Sequence, residues 1–480
     1  MNYADLFRVT LPETALEITA LLVLVVDLGF LRKAALSLRA SLAALLGVVG
    51  CLAALWLMPA HAIFSADGTA STALLVTGGW VAVAQIGILV LTGLTLVLLI
   101  GAGFTRHVGE YVAVVLMSAT GGLIIAGAQD LLVIFVGLEL LSLGLYILTA
   151  FAKQSGRSAE AAMKYYLFGG MSAAFLLFGF SYLYGLSGAT NLHQVATSIS
   201  VAGVTSSPLL YVALVSVAAG LGFKVAAFPF HLWAPDTYEG APAPAAAFIA
   251  SVSKVASFAL LIIVTGAVLS PRWSLLLVVL AAASMLAGNL AALAQISVRR
   301  LLAYSAIAHA GYMLLALAYY SERSRGALLY YILTYALTTI GAFGVVGVVE
   351  RATGTDRFDG FLGLSKRSPL LAAVLLVLFL SLAGIPPLVG FWAKFNLFAA
   401  VLAVGGGVVP FALVALAVGF SAVSLYYYLQ VLKRAYVMPA ADETPIRVHP
   451  MTMLVLLLIA AAVLVLGCFP ALLQNWIAGF

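Results

Sequence analysis

Apolar residues run along this chain in long stretches that end at charged or small polar residues. A bilayer's hydrocarbon core takes about 20 residues of helix to cross. Read at that length, the pattern predicts fourteen spans, at 11–31, 41–58, 79–104, 110–128, 130–151, 161–187, 208–238, 242–268, 273–296, 300–320, 326–349, 369–403, 407–433 and 450–475. Spans seven and twelve are too long for one straight crossing, and each holds proline near its centre: Pro229 in one, Pro386 and Pro387 in the other. Proline lacks an amide donor and clashes with the preceding turn, so both are expected to be broken helices. The predicted fold class is an all-α polytopic membrane protein of about 14 transmembrane helices.

Composition agrees. The chain is 64% hydrophobic and 8% charged, with mean hydropathy +1.16, against about 25% charged residues in soluble domains. The net charge of +6 is not a nucleic-acid signature, because the basic residues are scattered at span ends. With both termini placed outside, only Arg8, Arg272, Arg323 and Arg325 fall on the outer side, and Lys224, Lys254 and Lys394 fall within spans. The other sixteen of the 23 lysines and arginines fall on the inner side. That excess is the one expected of cytoplasmic loops. Cys51 and Cys468 lie far apart in apolar runs and offer no metal, haem or cluster spacing. The N-terminal stretch has neither a basic leader nor a small-residue cleavage site, so the first run is expected to be a retained span.

The spans also suggest a repeat. Spans four to eight (108–270) and nine to thirteen (271–436) each place a broken helix fourth, with an intramembrane lysine in it, after a three-helix segment (1–107) and before a C-terminal helix (437–480). Five spans per unit, an odd number, makes consecutive units enter the membrane from opposite sides, so two inverted five-helix repeats are expected.

A charged side chain at bilayer depth costs roughly 2.5–3.5 kcal/mol on insertion scales and is retained where it faces a polar cavity or partner. Lys224 and Lys254 bound the stretch KVAAFPFHLWAPDTYEGAPAPAAAFIASVSK, and Lys394 follows the proline pair of span twelve by seven residues. Glu139 is the only acid well inside span five. A carboxylate and an ammonium in one apolar interior lower each other's cost of being charged, and separating them promotes proton uptake by the carboxylate. Glu139 is therefore expected to pair with Lys224. Lys254 has at least eleven apolar-run residues on either side, too many for snorkelling, and is read as a relay. Lys394 is the station towards the outer side. His309, the histidine that falls in mid-span, has an ordinary pKa near 6.5 suited to proton transfer and is read as the connection between the two units. Glu13 and Glu17, at i, i+4 on span one, are expected to share a face, and a helix–helix contact explains them and Asp27 as well as function does. His231, Asp236 and Glu239 match no familiar zinc spacing and are read as capping and interface residues, so no metal is assigned. No phosphate-cradling motif, dinucleotide turn or cofactor ligand set appears, and the energy for moving ions is expected from a partner or another gradient.

These motifs resemble the antiporter-like membrane subunits of respiratory complex I, the proton-pumping NADH:quinone oxidoreductase, a family related to the Mrp antiporters. The stretches that carry the resemblance are LPE at 11–13, GLELLSLGLYIL around Glu139, EAAMKYYLFGGMSAAFLLFGFSYLYGLSG at 160–188, KVAAFPFHLWAPDTYEGAPAP from Lys224, AYSAIAHAGY around His309 and GIPPLVGFWAKF ending at Lys394. The resemblance covers nearly the whole chain. DTYEGAPAP, Lys254 in span eight and Lys394 in span twelve look like the N branch of the family, and the chain has no room for the lateral helix of subunit L. Val389 stands where relatives often carry a small residue.

The resemblance implies that Glu139 and Lys224 form a charge pair, Lys254 is the central relay and Lys394 leads to a periplasmic exit. It also implies that quinone reduction elsewhere in the complex drives the protons. NADH, FMN, iron–sulfur clusters and quinone would be bound by partner subunits and none by this chain. Partners would be subunits M, K and J and the lateral helix of subunit L, in a bacterial inner membrane. An Mrp-type sodium–proton antiporter subunit, a ferredoxin-driven photosynthetic relative and a non-pumping scaffold remain open alternatives.

Overall fold

The computed structural model describes residues 7–58, 70–71, 74–201, 207–268, 270–440 and 444–480. In chain order the helices are α1 (Leu11–Val25), continued by a π-helical turn (Val26–Phe30), α2 (Leu36–Leu57), α3 (Gly79–Leu98), α4 (Val108–Gly127), α5 (Leu131–Thr149), α6 (Gly156–Ser187), α7 (Leu192–Val201) and α8 (Pro208–Lys224). There follow α9 (Trp233–Gly240), α10 (Ala243–Ala250), α11 (Val252–Ala267), α12 (Pro271–Leu293), α13 (Val298–Ala318) and α14 (Glu322–Thr353). The last six are α15 (Leu364–Arg367), α16 (Pro369–Ala383), α17 (Val389–Val404), α18 (Val408–Tyr436), α19 (Pro450–Cys468) and α20 (Ala471–Ala478). A small antiparallel ladder, β1 (Ala70–Ser71) with β2 (Val76–Thr77), precedes α3 and has no counterpart in the all-helical expectation.

Among the described residues, eleven helical runs are long and apolar enough to cross a membrane. Three shorter apolar helices, α8, α16 and α17, flank the two breaks. Several helix starts are set by side chains that satisfy the orphan amides of the first turn. Asp130 accepts from the Leu132 and Val133 amides, Ser270 and Ser297 cap α12 and α13, and Ser321 and Ser324 form a capping box on α14.

Burial sorts the helices into two layers. The run α10–α11 is wholly buried in its most apolar window, and α13 and α14 nearly so, whereas α18 buries only 22% of its window and α6 33%. The peripheral helices present leucine, valine and phenylalanine outward, as lipid-facing helices do. α14 is the hub, packed against α3, α10, α11, α13, α16, α17 and α19.

Both proline-containing spans are broken, but differently. α8 ends at Lys224 itself, and Ala226 then takes a left-handed φ of 58° that a non-glycine residue holds at a cost of about 1–2 kcal/mol. α16 ends at Ala383, capped by Gly384 at φ 89°, and α17 restarts at Val389. Lys224 therefore stands before its break and Lys394 after its own. A third interruption, at Ser251, divides the run of predicted span eight into α10 and α11 with no proline or glycine to announce it.

The second break fits only with glycine at 390. The Gly390 amide donates to the Ser381 hydroxyl oxygen at 3.2 Å, and a Cβ there would collide with the Ser381 carbonyl oxygen. Gly390→Ala is expected to destabilise the protein by about 1–3 kcal/mol, the usual penalty for overpacking, read as a lower thermal unfolding midpoint in detergent.

Span one also departs from expectation. Glu13 is buried and Glu17 exposed, because the 40° offset of an i, i+4 pair suffices to turn one inward and the other outward. Asp27, in the π-turn, is buried and bonded by Arg39 through Nε at 2.7 Å and Nη2 at 2.6 Å, and by the Gly109 amide at 3.1 Å. That ties the C-terminal end of α1 to the N-terminal ends of α2 and α4.

Candidate functional site

Each of the three intramembrane lysines is buried: Lys224 is 7% exposed, Lys254 1% and Lys394 6%. An ammonium removed from water must recover its hydration from fixed acceptors. Here carbonyl and hydroxyl oxygens supply them. Among the described residues no carboxylate lies within 4.0 Å of any of the three.

Lys224 Nζ donates to Ser142 Oγ, which in turn donates to the Leu138 carbonyl on α5. The expected contact with Glu139 is therefore absent. Ser142 stands three residues beyond Glu139, one turn along the helix, and takes the ammonium instead. Glu139 is only partly buried, yet close enough for its charge to act on Lys224. Ser142 is visible in the sequence only as the i+3 neighbour of the acid.

Lys254 satisfies the backbone opened by the first break. Its Nζ donates to the Val225 carbonyl at 3.2 Å and to the Ala306 carbonyl of α13 at 2.9 Å. Nearby, the Trp233 indole donates to the Phe223 carbonyl at 3.0 Å and Ser284 Oγ accepts from the Phe228 amide at 2.9 Å. The orphan groups of the broken helix are thus paired within the protein, as a helix interrupted at membrane depth requires. Lys394 performs the same service at the second break: its Nζ donates to the Leu382 carbonyl at 3.1 Å, the Ala383 carbonyl at 2.8 Å and Ser421 Oγ at 2.8 Å. A cation over the last carbonyls of α16 also meets the negative end of that helix's dipole.

His309 lies between these two lysines. It is 3% exposed, its Nδ1 shares a hydrogen bond with the Tyr331 hydroxyl at 2.8 Å, and the charges of both Lys254 and Lys394 reach it. Along α13, Ala306, His309 and Tyr312 follow one another at three-residue steps. Ala306 accepts from Lys254, and the Tyr312 ring lies 5.7 Å beneath the Lys394 ammonium. Asn289 extends the string, donating to the Tyr312 hydroxyl at 3.2 Å and accepting from the Tyr427 hydroxyl at 3.2 Å. Ser421, Tyr312, Tyr331 and Asn289 were not singled out in the sequence, because single hydroxyls and amides carry little insertion cost and do not stand out. The result is a row of buried polar and titratable side chains in the apolar interior, from Lys224 and Lys254 past His309 to Lys394.

The loop after the first break is held by charge. Arg300 Nη1 pairs with Asp236 at 2.7 Å and Glu239 at 2.9 Å, and Lys164 pairs with Asp236 at 2.8 Å. Buried Arg299 donates to the Glu239 and Ala241 carbonyls at 2.8 and 2.7 Å and pairs with Glu350 at 2.9 Å. His231 stacks on Phe228 instead of joining the acids. Among the described residues no three His, Cys, Asp or Glu side chains converge on a metal-sized site.

Comparison with known proteins places the chain in a family. Residues 128–421 match the family described as NADH:quinone oxidoreductase/Mrp antiporter, transmembrane. The chain is 49% identical to NADH-quinone oxidoreductase subunit N 2 of Acidobacterium capsulatum, over 99% of both proteins. It is similar to a chain in the structure of respiratory complex I from Thermus thermophilus with bound aureothin, at 33% identity and a TM-score of 0.82, covering 98% of this chain and 100% of that one. A chain of the Mrp complex from a Dietzia species, 23% identical with a TM-score of 0.83 over 97% and 96%, shares the fold. With a family match over more than half its length and a full-length relative at this identity, the chain belongs to the NADH:quinone oxidoreductase/Mrp antiporter family, in its subunit N branch.

Proposed function

We propose that this chain is a proton-translocating membrane subunit of NADH:quinone oxidoreductase that itself carries no redox centre. The observation that carries the reading is the buried string Lys224, Lys254, His309, Lys394, whose ammonium groups rest on carbonyls and hydroxyls and have no permanent counter-ion. A lysine so placed gains and loses a proton without breaking an ion pair. Glu139, one turn from the Ser142 that Lys224 bonds, is the group whose approach or withdrawal biases the first lysine. Lys254 is the central relay, His309 the connection and Lys394 the step towards the exit.

In this reading the fourteen crossings form two inverted five-helix units, 108–270 and 271–436, between the segment 1–107 and the helix 437–480. Both termini face the periplasm of a bacterial inner membrane. Quinone reduction in other subunits supplies the energy. NADH, FMN, iron–sulfur clusters and quinone belong to those partners, and subunits M, K and J and the lateral helix of subunit L pack against this chain's exposed apolar faces.

The test is Lys224→Ala and Glu139→Gln in the assembled complex, reconstituted in liposomes. Assembly and NADH oxidation should persist while the protons moved per NADH fall. Normal pumping by both variants would leave a scaffold role only.

A further inference from the structure

One face of the hub helix is unused by the relay as described. Along α14, Tyr331, Tyr335, Thr339, Phe343 and Gly347 recur every four residues and form a stripe that winds slowly around the helix. At one end of it Tyr331 bonds His309, and the Tyr335 ring lies 4.8 Å from the imidazole. At the other end Gly347 borders a cavity of about 340 Å³ beside Arg299, Glu350, Arg351 and Asp356, among the basic-rich loops.

Between these ends three buried polar atoms have no hydrogen-bond partner in the protein: His309 Nε2, Thr339 Oγ1 and the Tyr238 hydroxyl. Tyr238, from α9, is fully buried, its ring packs edge-on against Phe343 at 5.6 Å, and it lies within electrostatic reach of Tyr335. An unpaired buried polar group costs about 1–3 kcal/mol, and protein interiors settle that cost with bound water that joins two to four such groups. Phe343 is the one bulky apolar member of the stripe; its ring packs on Tyr238, and the next residue, Gly344, lines the cavity.

We propose that this face of α14 is the proton inlet of the subunit. Water held by the Tyr238 and Thr339 hydroxyls carries protons from the Glu350 cavity to His309 Nε2, and the Phe343 ring gates the step between them. The proton budget closes at the histidine: the neutral ring gains one proton at Nε2, the imidazolium gives one to a neutral Lys254 or Lys394 amine, and the ring returns to neutral. This inference rests on the relay reading above and adds its entry route and gate.

The experiment uses the complete complex carrying chromosomal variants, purified and reconstituted in liposomes. NADH oxidation and proton uptake are followed together, and assembly is checked on native gels. Tyr238→Phe combined with Thr339→Val, which removes both hydroxyls and keeps both shapes, should lower the protons moved per NADH several-fold. Phe343→Trp, which fills the gate, should do the same, and Thr339→Ser in place of Thr339→Val should restore much of the loss. If the double variant does not assemble, the isosteric Thr339→Val alone carries the test. Wild-type pumping by these variants, with Lys254→Met defective, would overturn the inlet and leave the relay standing. Wild-type pumping by Lys254→Met as well would remove the relay and the inlet together.

Discussion

Lys254→Met is expected to leave the complex assembled and able to oxidise NADH while proton transfer through this chain falls by about 10²-fold or more, the usual contribution of one positioned proton-transfer group. The reasoning starts from its partners. Lys254 is 1% exposed and donates only to the carbonyls of Val225 and Ala306. Methionine matches the length and apolar character of the lysine stem, so packing is retained and the loss is one of charge and exchangeable proton. Lys254→Arg separates the two roles that remain. A guanidinium still donates to both carbonyls and still faces the end of α8, but it does not give up its proton in a protein. If Lys254 only caps the broken helix, arginine should pump as wild type does. If it relays protons, arginine should fail as methionine does. Protons moved per NADH oxidised in reconstituted liposomes decide between them, and full pumping by Lys254→Arg would sink the relay role.

The largest structural effect is expected at Arg299. Its side chain joins three elements: two carbonyls at the end of α9 and beyond, at 2.8 and 2.7 Å, and the Glu350 carboxylate on α14 at 2.9 Å. Arg299→Ala strands two carbonyls and a carboxylate at once. Removing one partner of a buried pair costs about 3–5 kcal/mol. The lower end applies here, because the Glu350 side chain is 35% exposed and water can serve it. Loss of this magnitude should appear as a lower unfolding midpoint of the purified complex and less subunit in the membrane. Arg299→Lys should recover only part of it, since one ammonium does not reproduce the fork that reaches a carboxylate and two carbonyls together. An unchanged midpoint in Arg299→Ala would show that the DTYEGAPAP loop is held by the Arg300 pairs with Asp236 and Glu239 alone.

The lysines were legible because each is an expensive anomaly in an apolar run. Their acceptors were not, since a backbone carbonyl has no signature in sequence and is free only where a helix stops. Pro229 and the pair Pro386–Pro387 announced two of those stops. The interruption at Ser251 had no such herald, and it is set by the tertiary packing of α10 and α11 in the wholly buried layer. Glu139 and Lys224 were matched by charge, the strongest term visible in one dimension. The fold gives Lys224 a bond to Ser142, one turn from Glu139 on α5, a choice that depends on helix rotation and costs the sequence only one hydroxyl.

What the residues determined alone is therefore the class of solvent and the kind of chemistry. Long apolar runs require a membrane, and charges retained at depth single out the residues proposed to move protons. Fold decided which groups meet. Lys224 stands before its break and Lys394 after its own, although both read alike as a lysine near proline. Glu13 turns inward while Glu17 turns out, by 40° of helix. Tyr331, Tyr335, Thr339 and Phe343 are ordinary residues along α14 until Tyr238 and His309 pack against the same face. Burial cost is a property of each residue and can be read in order along the chain, whereas contact depends on several helices at once and is settled only when they pack.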